Sequence, residues 1–191
     1  MSVYRYIVCI EGFHYKFEVF GRNAMNKLIL LTLCLFYAGS ALSAEKAHKD
    51  WVIDTDGSEY FYAATLNNSG HVFGKYCYFE SENCMYITGV DIKCTNGNKY
   101  PALVNSDSGS MNTTLHCGGR VEGQNVLIFE NFDDIEATVK KSKQLGIAIP
   151  MENGKFKVSR FSMSGSTYSI DKMTKEAEKH LALSNADSEL L

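Results

Sequence analysis

Four cysteines, Cys77, Cys84, Cys94 and Cys117, and two histidines, His71 and His116, are the side chains with most scope for chemistry in the central part of this chain. Thiolates can hold zinc, but a structural zinc site needs closely spaced ligand pairs, and the gaps here are six, nine and 22 residues. Oxidation to disulfides is the alternative, and four cysteines allow three connectivities. The expected pairing is Cys77 with Cys84 and Cys94 with Cys117, each closing a local hairpin. A cysteine held in a disulfide is neither nucleophile nor ligand, so His116 gains no reactive partner from its neighbour Cys117. His71 and His116 remain as candidate general bases, with His48 and His180 nearer the ends. None of the four lies in a nucleophile motif such as G-x-S-x-G, and the chain has no phosphate loop and no HExxH. The expectation is structural histidines, no catalytic residue, no metal and no cofactor.

Three other clusters invite a functional reading. Asp54–Gly57 (DTDG) opens like a calcium loop, yet the downstream bidentate glutamate is missing, and turn chemistry explains the same residues. The aromatics Tyr60, Phe61, Tyr62, Tyr76, Tyr78, Tyr86 and Tyr100 could form a sugar- or peptide-binding platform, although tyrosine is also simply a good strand former. Ser164–Tyr168 (SGSTY) reads as a turn between strand and helix with Ser166 as N-cap. Asn67 and Asn112 each begin a glycosylation sequon, which would matter only in a eukaryotic secretory path.

The elements that must position these residues are mostly strands. Glu59–Leu66 and His71–Phe79 flank the turn cluster NNSG, and Cys84–Val90 follows after ESEN. With Cys77 facing Cys84, two-residue alternation places Tyr76, Tyr78, Met85 and Ile87 on one face and Cys77, Phe79, Cys84 and Tyr86 on the other. Both faces are then largely apolar, as in a sandwich or a covered sheet. Asn96-Gly97 marks another hairpin, and Met111–Cys117, Gln124–Phe129 and Ile147–Ile149 are further strands. Asp133–Leu145 is predicted as a helix, with acids in its first turn, lysines in its last and Gly146 just past its end. In Lys155–Met163, Phe156 and Val158 share one face whereas Phe161 and Met163 fall on the other, and a bulge near Ser159–Arg160 would reunite them. A weakly apolar helix, Ile170–Leu183, closes the domain, and the polar residues 184–191 read as a flexible tail.

The beginning of the chain sets the compartment. Lys27, the apolar run Leu28–Ala38 and the small residues Gly39–Ala44 have the order of a secretory signal peptide, with cleavage expected after Ala44 and Ala41 as the alternative. Eleven apolar residues rise about 16 Å as a helix, too short for a stable transmembrane span. Residues 1–24 precede Met25, from which a signal of ordinary length begins, and so read as an extension outside the natural protein, the rival reading being a long n-region of the signal. Four of the 19 basic and two of the 22 acidic residues lie in 1–44, leaving 15 against 20 and a charge of −5. That balance argues against nucleic acid and against anionic membrane surfaces as partners and leaves another protein as the expected one. Residues 45–183 then form a single disulfide-stapled domain of α+β class: an antiparallel sheet or sandwich, one packed helix and a C-terminal helix. Its location is the periplasm or the outside of the cell.

Trp51 near the mature start, cysteines spread through the β region and Phe161–Gly165 (FSMSG) after a helix together resemble the invasion-associated locus B family. That resemblance implies an exported protein of a Gram-negative bacterium without a settled enzymatic activity, hence a non-catalytic binding or envelope-associated role. A narrower stretch, Ser164-Gly165-Ser166-Thr167-Tyr168, is similar to the SGxxY motif of periplasmic lysozyme inhibitors, which insert a loop into the lysozyme cleft. It implies an alternative: inhibition of a lysozyme-like hydrolase through Ser164, Gly165, Ser166 and Tyr168.

Overall fold

The computed structural model describes residues 6–10, 13–17, 46–121 and 123–188. The chain divides into two units, Met1–Ala44 and Glu45–Leu191. In the first, β1 (Tyr6–Ile10) pairs antiparallel with β2 (Phe13–Phe17), Cys9 standing opposite His14. The segment read as a signal peptide, 25–44, lies outside the described residues.

The second unit is built on one ten-stranded sheet. In chain order its strands are β3 (Lys46–His48), β4 (Trp51–Asp54), β5 (Tyr60–Leu66), β6 (Val72–Tyr78), β7 (Asn83–Val90), β8 (Lys99–Ser106), β9 (Gly109–Val121), β10 (Gln124–Phe129), β11 (Gln144–Pro150) and β12 (Phe156–Ser162). Across the sheet they run β12-β11-β8-β9-β10-β7-β6-β5-β4-β3, and every pairing is antiparallel. The sheet coils until its ends meet: the Trp51 indole N–H donates to the Ser162 carbonyl at 3.0 Å, and the Asp50 N–H to the Ser164 carbonyl at 3.2 Å. Coiling follows from the right-handed twist that accumulates over many strands.

Alternation assigns the two faces as the sequence predicts. Trp51, Phe61, Phe73, Cys77, Tyr86, Leu115, Leu127 and Phe161 point inward into one core, and Tyr76, Tyr78, Met85 and Ile87 belong to a separate outer cluster. Both disulfides form: Cys77 bonds Cys84 across the directly opposed positions of β6 and β7, and Cys94 bonds Cys117.

Helix α1 (Phe132–Lys141) buries Ile135 and Val139 against the inner face. Asp133 and Asp134 lie in its first turn and Lys140 and Lys141 in its last, as the macrodipole favours. It stops four residues before the expected end. Ser142 turns extended (φ −93°, ψ 160°), and the Asp107 carboxylate then accepts the N–H groups of Lys143 (2.8 Å) and Gln144 (3.3 Å), starting a strand. Gly146 is therefore no helix cap; it lies in mid-β11, between β8 and β12. This longer strand replaces the three-residue one expected at Ile147–Ile149.

The expected bulge in β12 is also absent. Register runs unbroken from Gln144 opposite Ser162 to Pro150 opposite Phe156, so Phe156 and Val158 stay on the outer face, 63% and 43% exposed. The irregularity falls instead between β9 and β10, where Gly119 takes φ +95°, a conformation most side chains resist. Helix α2 (Ser166–Ser188) docks firmly through Ile170, Met173 and Ala177, all buried, and runs on through Ser188. Among the described residues no helix is long and apolar enough to cross a membrane.

Candidate functional site

The SGSTY segment is a clamp between helices. Gly165 has φ +97°, and a Cβ there would come within 2.4 Å of the His48 carbonyl oxygen, so only glycine fits the turn. Ser166 is the first residue of α2 and almost fully buried. Its hydroxyl does not cap its own helix; it donates to the Val139 carbonyl of α1 at 3.0 Å, and the Thr167 hydroxyl donates to Lys140 O at 3.1 Å. The end of a helix leaves carbonyls without intrahelical donors; here Thr138 accepts the Ser142 N–H, and the two hydroxyls satisfy Val139 and Lys140. Ser164 is exposed, and Tyr168 is half-exposed with its ring 4.2 Å from that of His48.

His71 and His116 lie at separate ion pairs. His71 is buried beside the β5–β6 turn, its Nε2 3.9 Å from Asp91, whose carboxylate is bonded by Lys157 at 2.7 Å. That bond from Lys157 holds the Asp91 carboxyl below its ordinary range. His116 pairs with Glu130, which also accepts from Lys99 at 2.7 Å, and Lys99 chiefly keeps Glu130 ionised. Among the described residues neither imidazole is bonded to a serine or threonine hydroxyl, and both central disulfides are closed. The Asp54 carboxylate accepts the Asp56 N–H at 2.9 Å, which is the turn chemistry expected of DTDG.

The aromatics divide. Tyr60, Tyr62, Tyr76 and Tyr78 meet on the outer face with ring centroids 5.1 to 6.2 Å apart, Tyr62 stacked on Tyr76. Burial, then the neighbouring Tyr60 and Glu59, push the Tyr78 phenol up. Phe61 and Tyr86 face inward, and Tyr100 packs beside the core instead of joining the outer group.

Two assemblies escaped the sequence. Lys75, on the inner face of β6, is buried; its ammonium lies 3.2 Å from Glu136 of α1 and 5.1 Å from the Phe132 ring. Glu136 also binds Lys140 (2.7 Å), which reaches Asp171 of α2 (2.8 Å). The second is a groove of about 480 Å³ on the outer face of β8, β11 and β12, lined by Asn105, Asp107, Lys143, Gln144, Gly146 and Arg160 among others. Its members come from three separate stretches of sequence and meet only through register: Gly146 stands opposite Asn105 on one side and Arg160 on the other.

No family description matches the chain, and no curated protein does. A ten-stranded coiled sheet with two helices packed on its concave face is nonetheless a shape met before. The crystal structure of invasion associated protein B from Bartonella henselae superposes with a TM-score of 0.50 at 10% identity, over 68% of this chain and 95% of that one. The likeness is one of fold.

Proposed function

We propose that the protein is exported by a Gram-negative bacterium, loses residues 1–44 and works outside the cytoplasm as a non-catalytic binding or envelope-associated protein. The observation that carries this reading is the pair of disulfides, Cys77–Cys84 across facing strands and Cys94–Cys117 between the β7–β8 connection and β9, since such bonds persist in oxidising compartments. The shared fold with an invasion associated protein supports the same class. The reading is tested by expressing the gene in a Gram-negative host and fractionating the cells. The expected result is a periplasmic or secreted product without free thiols; a cytoplasmic, reduced product contradicts it.

Inhibition of a lysozyme-like hydrolase through the 164–168 segment is the alternative, and the buried Ser166 weakens it. Of the two hydroxyls that could reach a catalytic carboxylate, that of Ser166 is committed to Val139 inside the protein, which leaves the exposed Ser164 alone to do so.

A further inference from the structure

The outer face of β8, β11 and β12 carries a graded surface. At one end lies the polar row Asn105–Gly146–Arg160, with Lys143 beside it; the next row along the strands is Leu103–Ala148–Val158, and beyond it Pro150–Phe156. Leu103, Val158 and Phe156 are 41%, 43% and 63% exposed. At about 3.4 Å per residue, the strip from Arg160 to Phe156 is about 14 Å long. Exposed apolar side chains scattered singly need no explanation, but here they form consecutive rows that end at two cations. Among the described residues, neither Lys143 nor Arg160 has a carboxylate within 4.0 Å, although the Lys143 charge acts on Asp107 from farther away, in a chain whose acids outnumber its bases. Between the cations and Asn105 the floor is bare backbone, because Gly146 contributes no side chain. Its backbone does not require glycine, and a Cβ added there would meet nothing nearer than the Asn105 carbonyl oxygen at 3.5 Å. The missing side chain leaves room without serving the fold.

We propose that this surface binds a monomeric acyl amphiphile, whose carboxylate or phosphate head sits over Gly146 against Arg160 and Lys143 and whose chain lies along Leu103, Val158 and Phe156. A guanidinium suits either head because its fork of N–H groups matches two oxygens at once. Asp107, at the end of the groove, opposes the head with its own charge, and its carboxylate is kept ionised chiefly by the Lys143 N–H. That opposition supplies a diagnostic variant: Asp107→Asn removes the charge while leaving a carbonyl oxygen for the two N–H groups it accepts.

The test uses purified oxidised protein and calorimetric titration with dodecanoate and dodecyl phosphate below their micelle concentrations, with dodecanol, acetate and inorganic phosphate as partial probes. Saturable binding of one or both anions, weaker for every partial probe, is expected; the tighter anion identifies the head group. Arg160→Gln should weaken binding at least about tenfold, the value of a lost charge-assisted hydrogen bond. Gly146→Val, which fills the floor with a strand-forming residue and should leave the thermal midpoint in place, should abolish it, and Asp107→Asn should tighten it. Absence of saturable binding by both anions overturns the proposal. So does binding that survives unchanged in a folded Gly146→Val variant, or binding only to anionic vesicles and never to the monomeric probes.

Discussion

Removing Glu136 should damage the protein far more than removing its partner Lys75. Lys75 is the more deeply buried of the two, its side chain 5% exposed against 20% for Glu136, and Glu136 is the only carboxylate within ion-pair reach of it among the described residues. Glu136→Leu leaves an ammonium in the core beside Phe132, and breaking a buried pair in this way costs about 3–5 kcal/mol. Partial exposure of Glu136 puts the expectation at the lower end, about 3 kcal/mol. Lys75→Met leaves Glu136 still bound by Lys140 and in contact with solvent, while methionine fills the space of the lysine stem, so a loss under about 1 kcal/mol is expected. Urea unfolding of both variants and of Lys75→Met/Glu136→Leu measures this directly, and the double variant should recover most of the Glu136→Leu loss. The pair also sets an acid limb. Burial raises the Glu136 carboxyl, but the bonds and charges of Lys140 and Lys75 outweigh it and leave the folded value below the ordinary one. Its contribution is therefore complete above the unfolded pKa and lost as pH falls through the depressed folded value. Glu136→Leu should lack that part of the acid-induced loss. Equal losses for the two single variants, or a Lys75→Met variant worse than Glu136→Leu, would refute the reasoning.

Replacing Cys94 and Cys117 together by serine should cost about 3.4 kcal/mol and replacing Cys77 and Cys84 about 2.4 kcal/mol, from loop-closure entropy over separations of 23 and 7 residues; paired urea melts rank them. Ser166→Ala should lose about 1–2 kcal/mol by leaving the Val139 carbonyl unpaired in the core, and Ser164→Ala should be near neutral, as thermal melts will show. Neither variant, nor the wild type, should inhibit lysozymes at micromolar protein in a cell-wall turbidity assay. Trp51, the single tryptophan and fully buried, should resist acrylamide quenching in the native state, and Trp51→Phe should cost about 2 kcal/mol through the lost bond to the Ser162 carbonyl and reduced packing, read from the urea midpoint.

Local signals were legible where one element carried them. Alternation around Cys77 and Cys84 assigned both faces of the β6–β7 hairpin, because opposed cysteines fix register and register fixes every neighbouring side chain. The end of α1 was misplaced because lysines and Gly146 have the pattern of a helix terminus, whereas a carboxylate 36 residues upstream, Asp107, takes the N–H groups that begin β11. The β12 bulge was inferred from the assumption that apolar residues belong inside; Phe156 and Val158 remain outside. Lys75 reads as an ordinary strand lysine until α1 is laid over it. The groove was illegible for the same reason: Asn105, Gly146 and Arg160 become neighbours only when β8, β11 and β12 lie side by side.

Intact mass and peptide mapping of the protein recovered from outside the cytoplasm, without reduction, test the central claim most directly. The account predicts a chain beginning at Glu45, four hydrogens lighter than its reduced form, with Cys77 linked to Cys84 and Cys94 to Cys117. A product that retains residues 1–24, carries free thiols or links Cys84 to Cys94 would contradict it.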